Sequence, residues 1–183
     1  TYTCATSNTS SMNVVATSTV SVVPAFTVCQ GSSLNLISSA SGAASYSWSG
    51  PGGYTNPNQN PLLTSLMPAD ACNYTATASF TNGVLTWITN AVTNVSVVVT
   101  STVTPSVPQH TCQHANINLS MTAPGATAFN WAGPNSFNST SASTTIVNVQ
   151  PAASGVYTAT AIFSIGTYTC ATSNTSSMNV VAT

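Results

Sequence analysis

Apolar and polar residues alternate along this chain in short runs. Leu34 and Leu36 flank Asn35, Ile117 and Leu119 flank Asn118, Tyr46 and Trp48 flank Ser47, and Phe129 and Trp131 flank Asn130. Side chains of a strand point to opposite faces in turn, so this period of two predicts half-buried strands. Turn formers punctuate the runs: Gly50-Pro51-Gly52-Gly53 and Gly133-Pro134-Asn135 follow the tryptophans, and Asn82-Gly83 reads as a two-residue hairpin, with Ile165-Gly166 at the matching place. The last runs carry Val95, Val97 and Val99, or Met178 and Val180. No segment shows a helical period of useful length, so the chain is predicted to be all-β.

The same words return. Thr1–Thr17, TYTCATSNTSSMNVVAT, is identical to Thr167–Thr183, a shift of 167 − 1 = 166 residues. Half that shift, 83 residues, gives a weaker match. Tyr46-Ser47-Trp48-Ser49-Gly50-Pro51 falls on Phe129-Asn130-Trp131-Ala132-Gly133-Pro134. Pro68-Ala69 falls on Pro151-Ala152, and Tyr74-Thr75-Ala76-Thr77-Ala78 on Tyr157-Thr158-Ala159-Thr160-Ala161. A period of this kind marks repeated units. Residues 1–17 are therefore expected to be the last strand of a preceding repeat, in a window from a longer tandem array. One module is expected over 18–100 and a second over 101–183, each of about seven short strands, the pattern of a β-sandwich. The joints around Ser18 and Ser101 lack Gly and Pro and read as short, stiff connections.

Composition narrows the function. Among 183 residues there is no Lys or Arg, and Asp70 is the single carboxylate side chain. Nucleic-acid binding, which rests on basic residues neutralising phosphates, is excluded as an expectation. Ser, Thr and Asn carry the polar surface, and a nearly neutral chain can associate side by side with little repulsion. No apolar run approaches the ~18 residues of a membrane-spanning helix.

These residues resemble the immunoglobulin-like tandem repeats of large bacterial surface and adhesin-type proteins, notably those of Bacteroidota. The resemblance is carried by Cys29 and Cys112 at the first core strand, by the aromatic-x-Trp-x-Gly-Pro stretches, and by Pro151 to Ala159, which looks like a tyrosine corner. It covers both modules and implies two tandem immunoglobulin-like sandwiches with Trp48, Trp131, Tyr74 and Tyr157 in their cores. The pattern departs from antibody domains, where a second Cys stands two residues after the corner Tyr; here those positions are Ala76 and Ala159.

Five cysteines become four per 166-residue unit, because Cys4 is the copy of Cys170. On the sandwich that the resemblance implies, Cys29 and Cys72 lie at one end and are expected to pair. Cys112 then remains with Cys170, with a bond between modules or between chains as the alternative, and Cys4 pairs outside the window. Disulfides imply an oxidising compartment, hence secretion or the cell surface; buried free thiols are the competing reading.

His110-x-Cys112-x-His114 would put three metal-ligand types on one face of an extended strand. The matching stretch of the first module has no His, so His110 and His114 are a weak candidate and no metal or other cofactor is expected. Catalysis lacks its parts: a nucleophile needs a base held by a third group, and both His belong to one module while Asp70 belongs to the other. Asp70 is expected to cap the turn before Tyr74. Asn-x-Ser/Thr triplets at Asn8, Asn73, Asn94, Asn118, Asn138 and Asn174 permit glycosylation. Trp87, opposite Cys170 in the repeat, is expected at the surface or at a contact.

The expectation is thus a non-enzymatic structural protein, a tandem repeat of an extracellular fibre, filament or stalk whose partners are copies of itself. The alternative is a cell-surface adhesin whose modules bind glycans or a host surface. Thr-rich strand faces also fit ice or surface binding.

Overall fold

A computed structural model describes residues 18–183. The 17-residue segment read as a preceding strand, with Cys4 and Asn8, lies outside the described residues.

The strands fall into two successive sets. The first comprises β1 (Ser21–Val22), β2 (Ala25–Cys29), β3 (Leu34–Asn35), β4 (Ser38–Ser39), β5 (Ser45–Ser49), β6 (Thr55–Asn56), β7 (Leu62–Leu63), β8 (Asn73–Thr81) and β9 (Thr86–Val98). The second comprises β10 (Thr104–Ser106), β11 (His110–Cys112), β12 (Ile117–Thr122), β13 (Ala128–Ala132), β14 (Asn138–Ser139), β15 (Ser143–Ile146), β16 (Gly155–Ile165) and β17 (Tyr168–Val181). Each set forms one five-stranded sheet, ordered β2-β9-β8-β5-β6 and β11-β17-β16-β13-β14. The opposing sheet is β10-β12-β15 in the second set and is split into β1-β4 and β3-β7 in the first. The protein is two all-β sandwiches in tandem. Each has more strand segments than the sequence pattern suggests, because the opening strand crosses between sheets. β1 pairs antiparallel with β4, whereas β2 pairs parallel with β9; β10 and β11 do the same with β12 and β17.

Strand alternation sets the cores. In β8, Tyr74, Ala76, Ala78 and Phe80 are buried, and in β16 so are Tyr157, Ala159, Ala161 and Phe163. Trp48 and Trp131 are 0% exposed. Trp48 stands opposite Ala76 and Trp131 opposite Ala159 across adjacent strands, so a small residue accommodates each indole. The two alanines thus sit where an antibody domain has its second cysteine, and the core is filled by volume instead of a cross-link.

A tyrosine corner closes each sandwich. Pro68–Asp70 and Pro151–Ala153 are single 3-10 turns with Pro at the first position. Tyr74 Oη donates to the carbonyl of Asp70 at 3.2 Å, and Tyr157 Oη to that of Ala153 at 2.9 Å. The Asp70 carboxylate accepts from Met67 N at 2.8 Å, fixing the turn ahead of Tyr74. The tyrosine rings also explain the Gly-Pro pairs. A Cβ at Gly50 would lie 2.5 Å from the Tyr74 ring, and one at Gly133 2.6 Å from the Tyr157 ring. Burial pushes the Tyr74 hydroxyl up to about 12, helped by the Asp70 carboxylate. Burial raises Tyr157 and Tyr54 as well.

The hairpins differ slightly from the expected placement. Asn82 N donates to Leu85 O, and Ile165 pairs with Tyr168, so the central pairs are Gly83-Val84 and Gly166-Thr167. The glycine with positive φ, +96° at Gly83 and +58° at Gly166, takes the first central position in both.

Candidate functional site: the junction between the sandwiches

The most constructed feature outside the cores is the joint between them. β2 ends at Cys29, whose strand partner is Val98 at the end of β9. β17 begins beside this point, and Cys29 is disulfide-bonded to Cys170, Cα to Cα 5.7 Å, across 141 residues. Val98 is 1% exposed and belongs to the core cluster of the second sandwich, with Cys29 packed against it. The first sandwich therefore contributes side chains to the core of the second.

The connecting residues are held on both sides. Gln30 N donates to Val98 O at 3.0 Å, and Gln30 Oε1 accepts from Thr100 N at 3.2 Å. From the second sandwich, Thr172 Oγ1 donates to Ser101 O at 2.9 Å and Asn174 Nδ2 to Val103 O at 3.0 Å. Val103 is 3% exposed. A five-residue connector tied at Thr100, Ser101 and Val103 has little freedom to hinge.

This corrects the expected cysteine pairing. Cys29 does not pair with Cys72: Cys29 closes β2 on one flank of β9, and Cys72 precedes β8 on the other flank, its carbonyl accepting from Val95 N. With β9 between them, their backbones are too far apart for a bridge. Cys112 does not pair with Cys170, because Cys112 stands opposite Val181, eleven residues along β17 from Cys170, about 35 Å at strand rise. Cys72 and Cys112 are exposed free thiols. The repeat did hold a signal for the observed bond. Cys29 and Cys112 match each other, but Cys170 falls on Trp87, so a partner for Cys170 is to be sought across the module boundary.

The metal reading is also corrected in its geometry. His110 and Cys112 lie on β11, but the strand stops there and His114 occupies a turn at φ +69°. His114 Nδ1 lies 2.8 Å from Asn148 Oδ1 and 3.2 Å from Gln150 Nε2. Among the described residues no three His, Cys, Asp or Glu side chains gather. Asp70 remains in the first sandwich, occupied with Met67 N, apart from both His.

Trp87 is half-buried and stacked on Phe80, ring centroids 5.5 Å apart and planes 10° from parallel; its Nε1 is buried without a hydrogen-bond partner. Asn73, Asn94, Asn118, Asn138 and Asn174 are all exposed. Asn94 Nδ2 donates to Asn73 Oδ1, Asn174 is engaged with Val103, and Asn118, on the central strand β12, accepts from Thr145 Oγ1; Asn138 lies on the edge strand β14. No helix among the described residues is long and apolar enough to cross a membrane.

No family model and no curated protein matches the sequence. Solved structures do match. Extracellular domains 3–5 of Drosophila OTK superpose with a TM-score of 0.53 at 18% identity, covering 90% of this chain and 62% of that fragment. The titin I-band fragment I67–I69 gives a TM-score of 0.49 at 15% identity, over 92% of this chain and 67% of that one. The chain thus spans about three fifths of the OTK fragment it resembles, and at such identities the likeness concerns fold. On that ground the two sandwiches are immunoglobulin-like domains in tandem.

Proposed function

We propose that this chain is a structural repeat of an extracellular fibre, with modules over 18–100 and 101–183 and copies of itself as its partners. The observation that carries the reading is the Cys29–Cys170 bond between neighbouring sandwiches. A cross-link inside a domain stabilises that domain, whereas one between domains makes a stiff, tension-bearing joint. The identity of residues 1–17 with 167–183 supports it, since units that recur without change meet the same neighbours each time. The disulfide favours an oxidising location outside the cell. A chain without Lys or Arg offers no trypsin sites, which suits exposure there.

Glycan binding is less well supported. Trp48 and Trp131, the rings a sugar platform would use, are fully buried, and Trp87 is stacked on Phe80. An enzymatic role finds no acid–base pair among the described side chains.

Electron microscopy of the purified native protein tests the proposal. Unbranched filaments with a regular axial repeat are the expected result. A monodisperse population of short two-domain particles at all concentrations would overturn it, and saturable binding on a glycan array by such particles would favour the adhesin instead.

A further inference from the structure

The internal junction has two halves, and each sandwich contains both. The half offered by the first sandwich is Cys29, Gln30 and Val98; the half offered by the second is Phe163, Cys170 and Thr172. At the 83-residue spacing these correspond to Cys112, Gln113 and Val181, and to Phe80, Trp87 and Thr89. Strand direction shows where the second pair of halves lies. β9 runs from Thr86 to Val98, and Val98 is at the junction, so Trp87 sits about 35 Å away at the opposite end of the first sandwich. β17 runs from Tyr168, beside the disulfide, to Val181, and Cys112 is Val181's strand partner at the outer end of the second. The two outer ends of the molecule thus carry complementary halves of a contact already built in its middle.

Their exposure is that of a contact waiting for its neighbour. Val98 is 1% exposed, yet Val181, at the same place in the same parallel pairing, is 50% exposed. At the other outer end Val84 is 94%, Leu85 51% and Ile88 61% exposed, grouped on the hairpin around Trp87 with its unpaired Nε1. The sequence adds a separate observation. Residues 1–17 repeat the sequence of Thr167–Thr183 and run directly into Ser18, so second-module sequence is followed by first-module sequence within this chain.

We propose that the outer end of the second sandwich docks on the β8–β9 hairpin end of the first sandwich of another copy. This contact repeats the internal junction, with Cys112 set against the Trp87 indole where the internal one has a disulfide. Sulfur against an aromatic ring is a favourable contact. The inference rests on the fibre reading and specifies its joint: cross-linked and uncross-linked junctions alternate along the axis.

The test uses the full chain carrying Cys4→Ser, Cys72→Ser and Trp87→Cys, so that the only thiols outside the internal disulfide are Cys112 and the one introduced on the hairpin. Under mild oxidation the expected result is a non-reducing gel ladder of dimers, trimers and higher species. Chymotryptic peptides should map the bond to positions 87 and 112, and adding Cys112→Ser should abolish the ladder. As a second arm free of cysteine changes, Val84→Ser with Leu85→Ser, both at the exposed hairpin tip, should weaken self-association at least tenfold by sedimentation. Filaments that form without an 87–112 bond, or a ladder that survives Cys112→Ser, overturn this joint and leave the fibre reading standing. Monomers in every arm overturn both.

Discussion

The two sandwiches share a frame and differ in how each position is secured. Trp48 Nε1 donates to Gln59 O at 2.9 Å, whereas Trp131 Nε1, equally buried, has no partner. Tyr46 Oη donates to Ala40 O at 3.0 Å and accepts from Ala40 N, stitching the turn after β4; Phe129 in the same place has no hydroxyl to do so. The opposing sheet of the first sandwich is broken into two-stranded pieces, whereas that of the second is continuous. The first sandwich thus relies on side-chain hydrogen bonds where the second relies on a longer ladder. The difference teaches that the repeat conserves volume and turn geometry while its polar fastenings vary.

Four measurements sharpen this contrast. The largest effect is expected at the bond joining the two domains. Cys170→Ser opens a loop of 141 residues and should cost about 5 kcal/mol on loop-closure grounds. Calorimetry should then show the single unfolding transition resolving into two, one per sandwich. A single transition at an unchanged temperature would show that the bond couples nothing.

Next come the glycines beneath the corner tyrosines. Gly50→Ala and Gly133→Ala each drive a methyl into a tyrosine ring, at an expected loss of about 1–3 kcal/mol by denaturant unfolding. The comparison predicts near-equal losses, since the two rings approach within 0.1 Å of the same distance.

The tryptophans should separate. Trp48→Phe deletes a hydrogen bond and leaves Gln59 O with Ser38 Oγ as its donor, whereas Trp131→Phe deletes none. Trp48→Phe should therefore cost roughly 1 kcal/mol more. Equal costs would mean that the Ser38 hydroxyl alone satisfies Gln59 O.

The smallest effect is expected in alkali. The Tyr74 hydroxyl has its folded value raised from 10.0 to about 12, mainly by burial. The unfolded chain then releases this proton more readily than the folded one, so stability is full below pH 10 and falls between pH 10 and about 12. Tyr157 is raised in the same sense. Chemical denaturation across that window should show the decline, and Tyr74→Phe should flatten it while leaving the Tyr157 share.

Much of the fold was legible in the residues. Alternation gave β8 and β16 their buried faces, because a strand offers no other way to hide every second side chain. Gly50-Pro51 and Gly133-Pro134 announced turns, although their tight fit to the tyrosine rings belongs to the folded state. The site was less legible. Cys29 read as the opening of a core strand, but it closes a parallel edge strand, because the opening strand crosses from one sheet to the other. That crossing depends on which partner strand is available in space. His110, Cys112 and His114 read as one extended face until the backbone turned at His114.

The chain's own letters settled periodicity, all-β character, core tryptophans and the poverty of charge, since each follows from local stereochemistry or composition. Only tertiary structure decided which cysteines meet. A disulfide needs two Cα atoms within a few ångströms, and that nearness arises from how one sandwich seats on the next, at a separation of 141 residues that no local rule can reach.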